Sequence, residues 1–185
     1  MARTSVTPNQ VSVASVLFAA AGALALQARD SGWAMLLALC AIQMRLLCNV
    51  LDGLLAVEGG KKTAQGALYN EFPDRLADTL LIVGAGYAAG MPSLGWAAAL
   101  LAALTAYVRV FGGSIGLEPC FVGPMAKQHR MAVLSAASLL SAGEALGEWP
   151  HYSLPAALII ITVGSALTCV TRTRAIARAL EQRGQ

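Results

Sequence analysis

Charged side chains are scarce in this 185-residue chain: they make up 12%, roughly half the share of an ordinary soluble domain, while apolar residues make up 57%. That imbalance argues against a soluble globule and for a polytopic membrane protein. A net charge of +3 with no long basic run argues against nucleic acid as a partner. Cysteine is sparse and badly spaced for chemistry. Cys40, Cys48, Cys120 and Cys169 form no C-x-x-C and no Cys/His pattern, which disfavours a zinc site or a disulfide framework. Three of the four lie in apolar spans, where a free thiol behaves as a small hydrophobe. No internal repeat and no composition shift marks a second domain, so residues 1–185 read as one membrane domain. The first apolar run has some features of a cleaved signal peptide, but the chain that follows is equally apolar.

What the sequence does contain is six stretches of bilayer-crossing length, near 11–28, 33–57, 67–90, 93–112, 130–147 and 152–171. The reading is therefore an all-α fold with six transmembrane helices and a short C-terminal amphipathic helix formed by T-R-T-R-A-I-A-R-A-L-E-Q-R. Gly90-Met91-Pro92-Ser93 is a short break, Gly112 to Gln128 the longest loop, and Trp149 and Tyr152 flank a turn at interfacial height. Arg3, Lys61, Lys62, Lys127, Arg130 and the tail arginines fall on one side, and Arg29, Glu144 and Glu148 on the other. By the positive-inside bias the protein is a multi-pass protein of the cell (inner) membrane with both termini cytoplasmic.

Against this apolar background stands Asn49 to Asp78, N-V-L-D-G-L-L-A-V-E-G-G-K-K-T-A-Q-G-A-L-Y-N-E-F-P-D-R-L-A-D. Ionisable groups at the ends of lipid-embedded segments are costly without a partner, which makes this cluster a candidate site. Asn49 and Asp52 are three apart and share one helical face; Asn70, Asp74 and Asp78 are four apart and form one stripe. Two such stripes facing each other would converge oxygen atoms on a hard divalent cation. Gly53 and Gly66 would leave room for backbone or ligand, and Lys61 and Lys62 could meet phosphate. Pro73 requires either a kink or a helix that begins near Asn70 or Glu71.

The segment resembles the signature of the CDP-alcohol phosphatidyltransferase family, D-x-x-D-G-x-x-A-R, eight residues, then G-x-x-x-D-x-x-x-D. Asp52, Gly53, Ala56, Gly66 and Asp74 match at the required spacing, whereas Asn49, Val57 and Asn70 replace Asp, Arg and Asp. The T-P-N-Q-V-S of Thr7 to Ser12 resembles the segment preceding the first span of many members. The resemblance implies an enzyme of phospholipid biosynthesis. It would transfer a phosphatidyl group from CDP-diacylglycerol to an alcohol and release CMP, with Mg²⁺ or Mn²⁺ as cofactor. It also implies Asp52 as a metal ligand, Asp74 as the base, and Asn49 and Asn70 as uncharged ligand positions; a homodimer is the family expectation. Glu71 and Asp78 are candidates for the missing carboxylates, with Asp78 better placed because it continues the Asp74 stripe. A rearranged site, a single remaining metal and loss of the chemistry all stay open.

On the acceptor side, the Y-x-R of Tyr107 to Arg109 with Lys127 and Arg130 resembles the pocket of members that use a phosphorylated polyol such as inositol phosphate or glycerol phosphate. Lys127 and Arg130 also suit plain headgroup contact. Arg45, one turn before Asn49, is read as a structural counter-ion to Asp78 or Glu71. Ala97, Ala98, Ala99, Ala102 and Ala103 suit close helix packing within one subunit or across a dimer. Two rival readings remain: a catalytically silent partner subunit that binds lipid or nucleotide, and a small cation-coupled transporter.

Overall fold

The computed structural model describes residues 7–57 and 66–183, with the side chains of Ala56, Val57, Ala67 and Asn70 outside that description. Lys61 and Lys62 also lie outside the described residues. The described chain forms six helices: α1 (Pro8–Leu26), α2 (Gly32–Val57), α3 (Gly66–Ala88), α4 (Pro92–Ser114), α5 (Lys127–Leu146) and α6 (Ser153–Arg183). Four of them, α1, α2, α4 and α6, are long and apolar enough to cross a bilayer. α3 and α5 carry more charge, and their polar residues turn inward.

Local chemistry sets the helix ends. Thr7 caps α1: its hydroxyl accepts from Gln10 N while Gln10 Oε1 accepts from Thr7 N, and Pro8 occupies the first turn, where an absent N–H costs nothing. Glu144 Oε1 takes the backbone N–H groups of Tyr152 and Ser153 together with the Ser153 hydroxyl, so a carboxylate caps the exposed donors that open α6.

The helices close into a ring in which α1 packs on α2, α2 on α5, α5 on α6, α6 on α4, α4 on α3 and α3 on α1. α3 also reaches across the ring to α6 and α2, so it has neighbours on most of its circumference. That position explains how one helix holds Glu71, Asp74, Arg75 and Asp78. The interior is filled by small and medium side chains, including Ala19, Ala38, Ala77, Leu81, Leu134 and Ile161. Leu17, Leu24, Leu100, Leu140 and Val163 point outward. Large apolar residues outside and polar ones inside are the arrangement that lipid favours. Ala98, Ala99 and Ala102 are buried within the subunit, whereas Ala97 is exposed.

Gly86 and Gly95 bring α3 and α4 into backbone contact. A Cβ added at Gly95 would sit 2.8 Å from Gly86 Cα. Gly95→Ala is therefore expected to destabilise the protein by about 1–3 kcal/mol through overpacking, read as a lowered thermal midpoint in detergent.

One sequence expectation needs correction. The basic tail is no separate amphipathic helix: α6 runs unbroken to Arg183. Two of its four arginines, Arg172 and Arg183, bind their own chain, while Arg174 and Arg178 are exposed. Arg172 Nη1 donates to Thr105 O at 2.6 Å and Nε to Val122 O at 3.0 Å, and Arg183 donates to Ile115 O and Gly116 O. Of the two readings left open for Pro73, the structure takes the one with proline inside the helix: α3 begins at Gly66 and carries Pro73 in its interior, where Tyr69 O loses its usual helical donor.

Candidate active site

The site lies where the end of α2, the first half of α3 and the start of α5 meet. Its base is an ion network that apolar packing surrounds. Arg45, one turn before Asn49 on α2, is 0% exposed. Its Nη2 donates to Asp78 Oδ1 at 2.7 Å and to Asp74 Oδ1 at 3.2 Å. Arg130 of α5 donates from Nη2 to Asp78 Oδ2 at 2.9 Å and from Nη1 to Met125 O at 3.1 Å. Both oxygens of Asp78, itself only 2% exposed, are thus held by buried guanidinium groups from two different helices. The counter-ion role read for Arg45 is met. Asp78, expected as a further metal ligand or base, has a guanidinium partner on each oxygen.

Asp74 is one turn nearer the surface. Asn49 Nδ2 donates to its Oδ1 at 3.0 Å, and Lys127 Nζ caps its Oδ2. Arg75 Nη2 stands 3.8 Å from the same oxygen. Asp52 faces α1 instead: the Ser12 hydroxyl donates to its Oδ2 at 2.6 Å. Glu71 does not join this group. Its Oε2 accepts from Arg109 Nη2 at 2.7 Å, with Arg75 Nε 3.5 Å from Oε1.

A polar cavity of about 210 Å³ opens beside Asp74. Five basic side chains line it, Arg75, Arg109, Lys127, Arg130 and Arg172, against the two carboxylates Glu71 and Asp74. Arg109 also stacks over Phe121, its guanidinium carbon 5.4 Å from the ring centroid. Of the five, Arg172 alone has no carboxylate within ion-pair distance among the described residues; backbone carbonyls hold it in place. The cavity is built for an anion.

An oxygen-only cage for a cation is not what these residues form. Among the described residues no three Asp, Glu, His or Cys side chains converge as a ligand set. Asp52, Asp74 and the Asn49 amide are oxygen donors of the kind a hard divalent ion takes, and the Lys127 ammonium occupies Asp74 Oδ2. Among the described residues an added Cβ at Gly53 would touch nothing within 4 Å. Gly66 opens α3. Ala56, Asn70, Lys61 and Lys62 cannot be placed at the site by their side chains, which lie outside the described residues.

Sequence reading missed three participants. Arg172 was taken as a tail cation, although its place one turn beyond the buried Thr168 puts it on the inward stripe of α6. Ser12 lay in the quoted T-P-N-Q-V-S segment without a role, and nothing in the order of residues tied it to Asp52. Arg75 lies one position past the matched signature, and nothing in the order of residues gave it a role.

Comparison with known proteins agrees with this arrangement. No family model matches the chain. It is 31% identical over 150 residues to a phosphatidylinositol phosphate synthase of Cutibacterium acnes, an alignment covering 76% of this chain and 72% of that one. It is 32% identical over 126 residues to an archaetidylinositol phosphate synthase of Methanothermobacter thermautotrophicus, covering 67% and 61%. The fold matches crystal structures of Mycobacterium tuberculosis phosphatidylinositol phosphate synthase. The TM-score is 0.79 to the form with CDP-DAG bound, at 21% identity and covering 94% of this chain and 88% of that one. It is 0.78 to the complex with manganese and citrate, at 21% identity and covering 94% and 84%. With 31% identity over more than two thirds of both chains, the chain belongs to the CDP-alcohol phosphatidyltransferase family.

Proposed function

We propose that the protein transfers a phosphatidyl group from CDP-diacylglycerol to a phosphorylated polyol, with inositol phosphate the leading candidate, and releases CMP. The observation that carries this reading is the adjacency of Asp74 to a cavity with an excess of basic side chains. In the reaction a hydroxyl oxygen of the acceptor attacks the phosphorus next to the lipid, and the bond from that phosphorus to CMP breaks. The hydroxyl proton passes to Asp74, and CMP leaves with the bond's electrons. Arg172, with Lys127 and Arg130 beside it, holds the anionic group of the acceptor so that its hydroxyl is presented to Asp74. Asp52 and Asp74, with Asn49, would hold one divalent ion, Mg²⁺ or Mn²⁺. Asn70 stands at the matching signature position. Bound there, the ion neutralises charge on the pyrophosphate.

A groove of about 540 Å³ between α1 and α3, lined by Val13, Val16, Leu17, Phe72, Pro73 and Leu76, lies at the level of Ser12 and Asp74 and suits an acyl chain. In this reading all six helices span the membrane, α3 and α5 shielded by the other four. Both termini and the cavity mouth face the cytoplasm, and the protein works as a single domain in the inner membrane, with dimerisation a family expectation.

The occupied carboxylates favour one rival, a silent partner subunit that keeps the fold and binds lipid or nucleotide. Purified protein with labelled CDP-diacylglycerol, divalent metal and a panel of polyol phosphates separates the two. The expected result is metal-dependent CMP release with at least one phosphorylated acceptor; none with any acceptor overturns the enzyme reading.

A further inference from the structure

Among the described residues, three of the four carboxylates at the site have cationic partners and one has none. Glu71 has Arg75 and Arg109, Asp74 has Arg45, Arg75 and Lys127, and Asp78 has Arg45 and Arg130. Asp52, only 6% exposed, has no described lysine or arginine within ion-pair distance. Its partner is a neutral group on another helix, the Ser12 hydroxyl of α1, 2.6 Å from Oδ2. Pro8 O lies 3.2 Å from the same hydroxyl, the back-bond that a helical serine often makes. A hydroxyl has one proton to donate, and the nearer, ionised carboxylate is the stronger acceptor. The proton therefore goes to Asp52.

We infer that Ser12 is a positioning residue: its hydroxyl fixes the orientation of the Asp52 carboxylate for a hard divalent ion and leaves the carboxylate's charge intact. This rests on the reading of Asp52 as a ligand of that ion. The kind of donor makes the difference. A lysine or arginine at the place of Ser12 would orient Asp52 and neutralise it together, as Arg45 and Arg130 do to Asp78. A neutral hydroxyl holds one oxygen and leaves the negative charge to be balanced by a cation from outside the protein. The neighbourhood suits such an ion. Asn49, one turn before Asp52 on the same face of α2, already reaches Asp74 of α3 at 3.0 Å. Ser12 is itself well held: it is buried, and its backbone carbonyl accepts from the Ser15 hydroxyl at 2.6 Å. A ligand carboxylate ordered beforehand loses less freedom when the ion arrives, so its partner contributes to affinity.

Binding of Mn²⁺ to the purified full chain in detergent, followed through the paramagnetic resonance signal of the free ion, tests this without turnover. Wild type is expected to bind the ion, and Asp52→Asn to bind it far more weakly. Ser12→Ala is expected to weaken binding about 10–100-fold, the usual cost of removing a ligand's outer partner. Ser12→Thr, which keeps the donor, should stay near wild type. Ser15→Ala is the control: it removes another buried hydroxyl of α1, one that bonds within its own helix, and should leave the affinity unchanged. Wild-type affinity in Ser12→Ala overturns the inference. An equal loss in Ser15→Ala does the same, because disturbed packing of α1 would then be the cause. Should Ser12→Ala not be recovered folded, Ser12→Cys, close in size but a weak donor, takes its place with the same two outcomes. Wild type that binds no Mn²⁺, or Asp52→Asn that binds it as well as wild type, overturns the inference too. CMP release by wild type judges the enzyme reading separately. Weakened binding in Ser12→Ala with no CMP from wild type sinks that reading and leaves Ser12 as the positioner of an ion ligand. CMP release with unchanged binding in Ser12→Ala does the reverse.

Discussion

Asp74→Asn is expected to lower the rate of CMP release by about two to four orders of magnitude, the span usual for loss of a positioned general base. The argument is local. Asp74 is the carboxylate that both lines the cavity and belongs to the ion network, with Oδ1 toward Arg45 and Asn49 and Oδ2 toward Lys127. Asparagine fills the same volume and can still accept from Arg45, but it cannot take a proton from an attacking hydroxyl. Asp78 continues to neutralise Arg45 in the variant, so the fold has reason to survive. The measurement is the kcat for CMP formation at saturating CDP-diacylglycerol, together with the thermal midpoint in detergent. Wild-type turnover in a folded Asp74→Asn protein would remove Asp74 from the role of base.

The second large effect falls on stability. Asp78→Asn leaves two buried guanidinium groups, those of Arg45 and Arg130, with one charge fewer between them. Removing one partner of a buried pair costs about 3–5 kcal/mol, since the remaining charge stays desolvated. In a chain of this size that corresponds to a fall of about 10 °C in thermal midpoint. The loss should be visible as reduced recovery of monodisperse protein from detergent, before any assay of activity. Asp78→Asn with Arg130→Met, which restores the balance of charge, is expected to recover part of the lost midpoint. No change in midpoint for Asp78→Asn alone would refute the counter-ion role.

How much of this was legible in the order of residues varies from place to place. The six apolar stretches foretold the six helices, because a run of lipid-length hydrophobicity admits few other structures. The junction of α2 and α3 was legible because the spacing Asp52, Gly53, Gly66, Asp74 is independent of what the rest of the chain does. The partners of those carboxylates were not. Arg45 could be paired with Asp78 by helical register on two neighbouring helices, but Arg130, 52 positions away, reaches Asp78 only because the ring brings α5 beside α2. The expectation of carboxylates gathered around a cation gave Arg45 a counter-ion role but did not foresee Lys127 on Asp74 or Arg130 on Asp78. A +3 chain with few charges in all has little reason to spend lysine and arginine on headgroups when buried aspartates need them. The tail was misjudged for the same reason: its arginines suit anionic lipid as well as they suit backbone carbonyls, and local sequence cannot separate the two. Pro73 left two readings open, because local rules weigh the lost hydrogen bond but not the packing around a helix that continues through it.

The long sixth helix has a bearing on the cavity as well as on shape. Thr168 Oγ1 accepts from Met125 N at 2.9 Å, Arg172 from the same helix holds Val122 O, and Arg183 holds Gly116 O, so one rigid rod clasps the α4–α5 connection at three points spread over roughly 22 Å. Gly123, at φ +119°, lies against Thr168 where a Cβ would approach to 2.6 Å, and it lets that strap run flush along the rod. Phe121 and Ala126 are carried on or next to the strap and form one wall of the polar cavity. That wall is thus tied through Val122 and Met125 to the last helix of the chain.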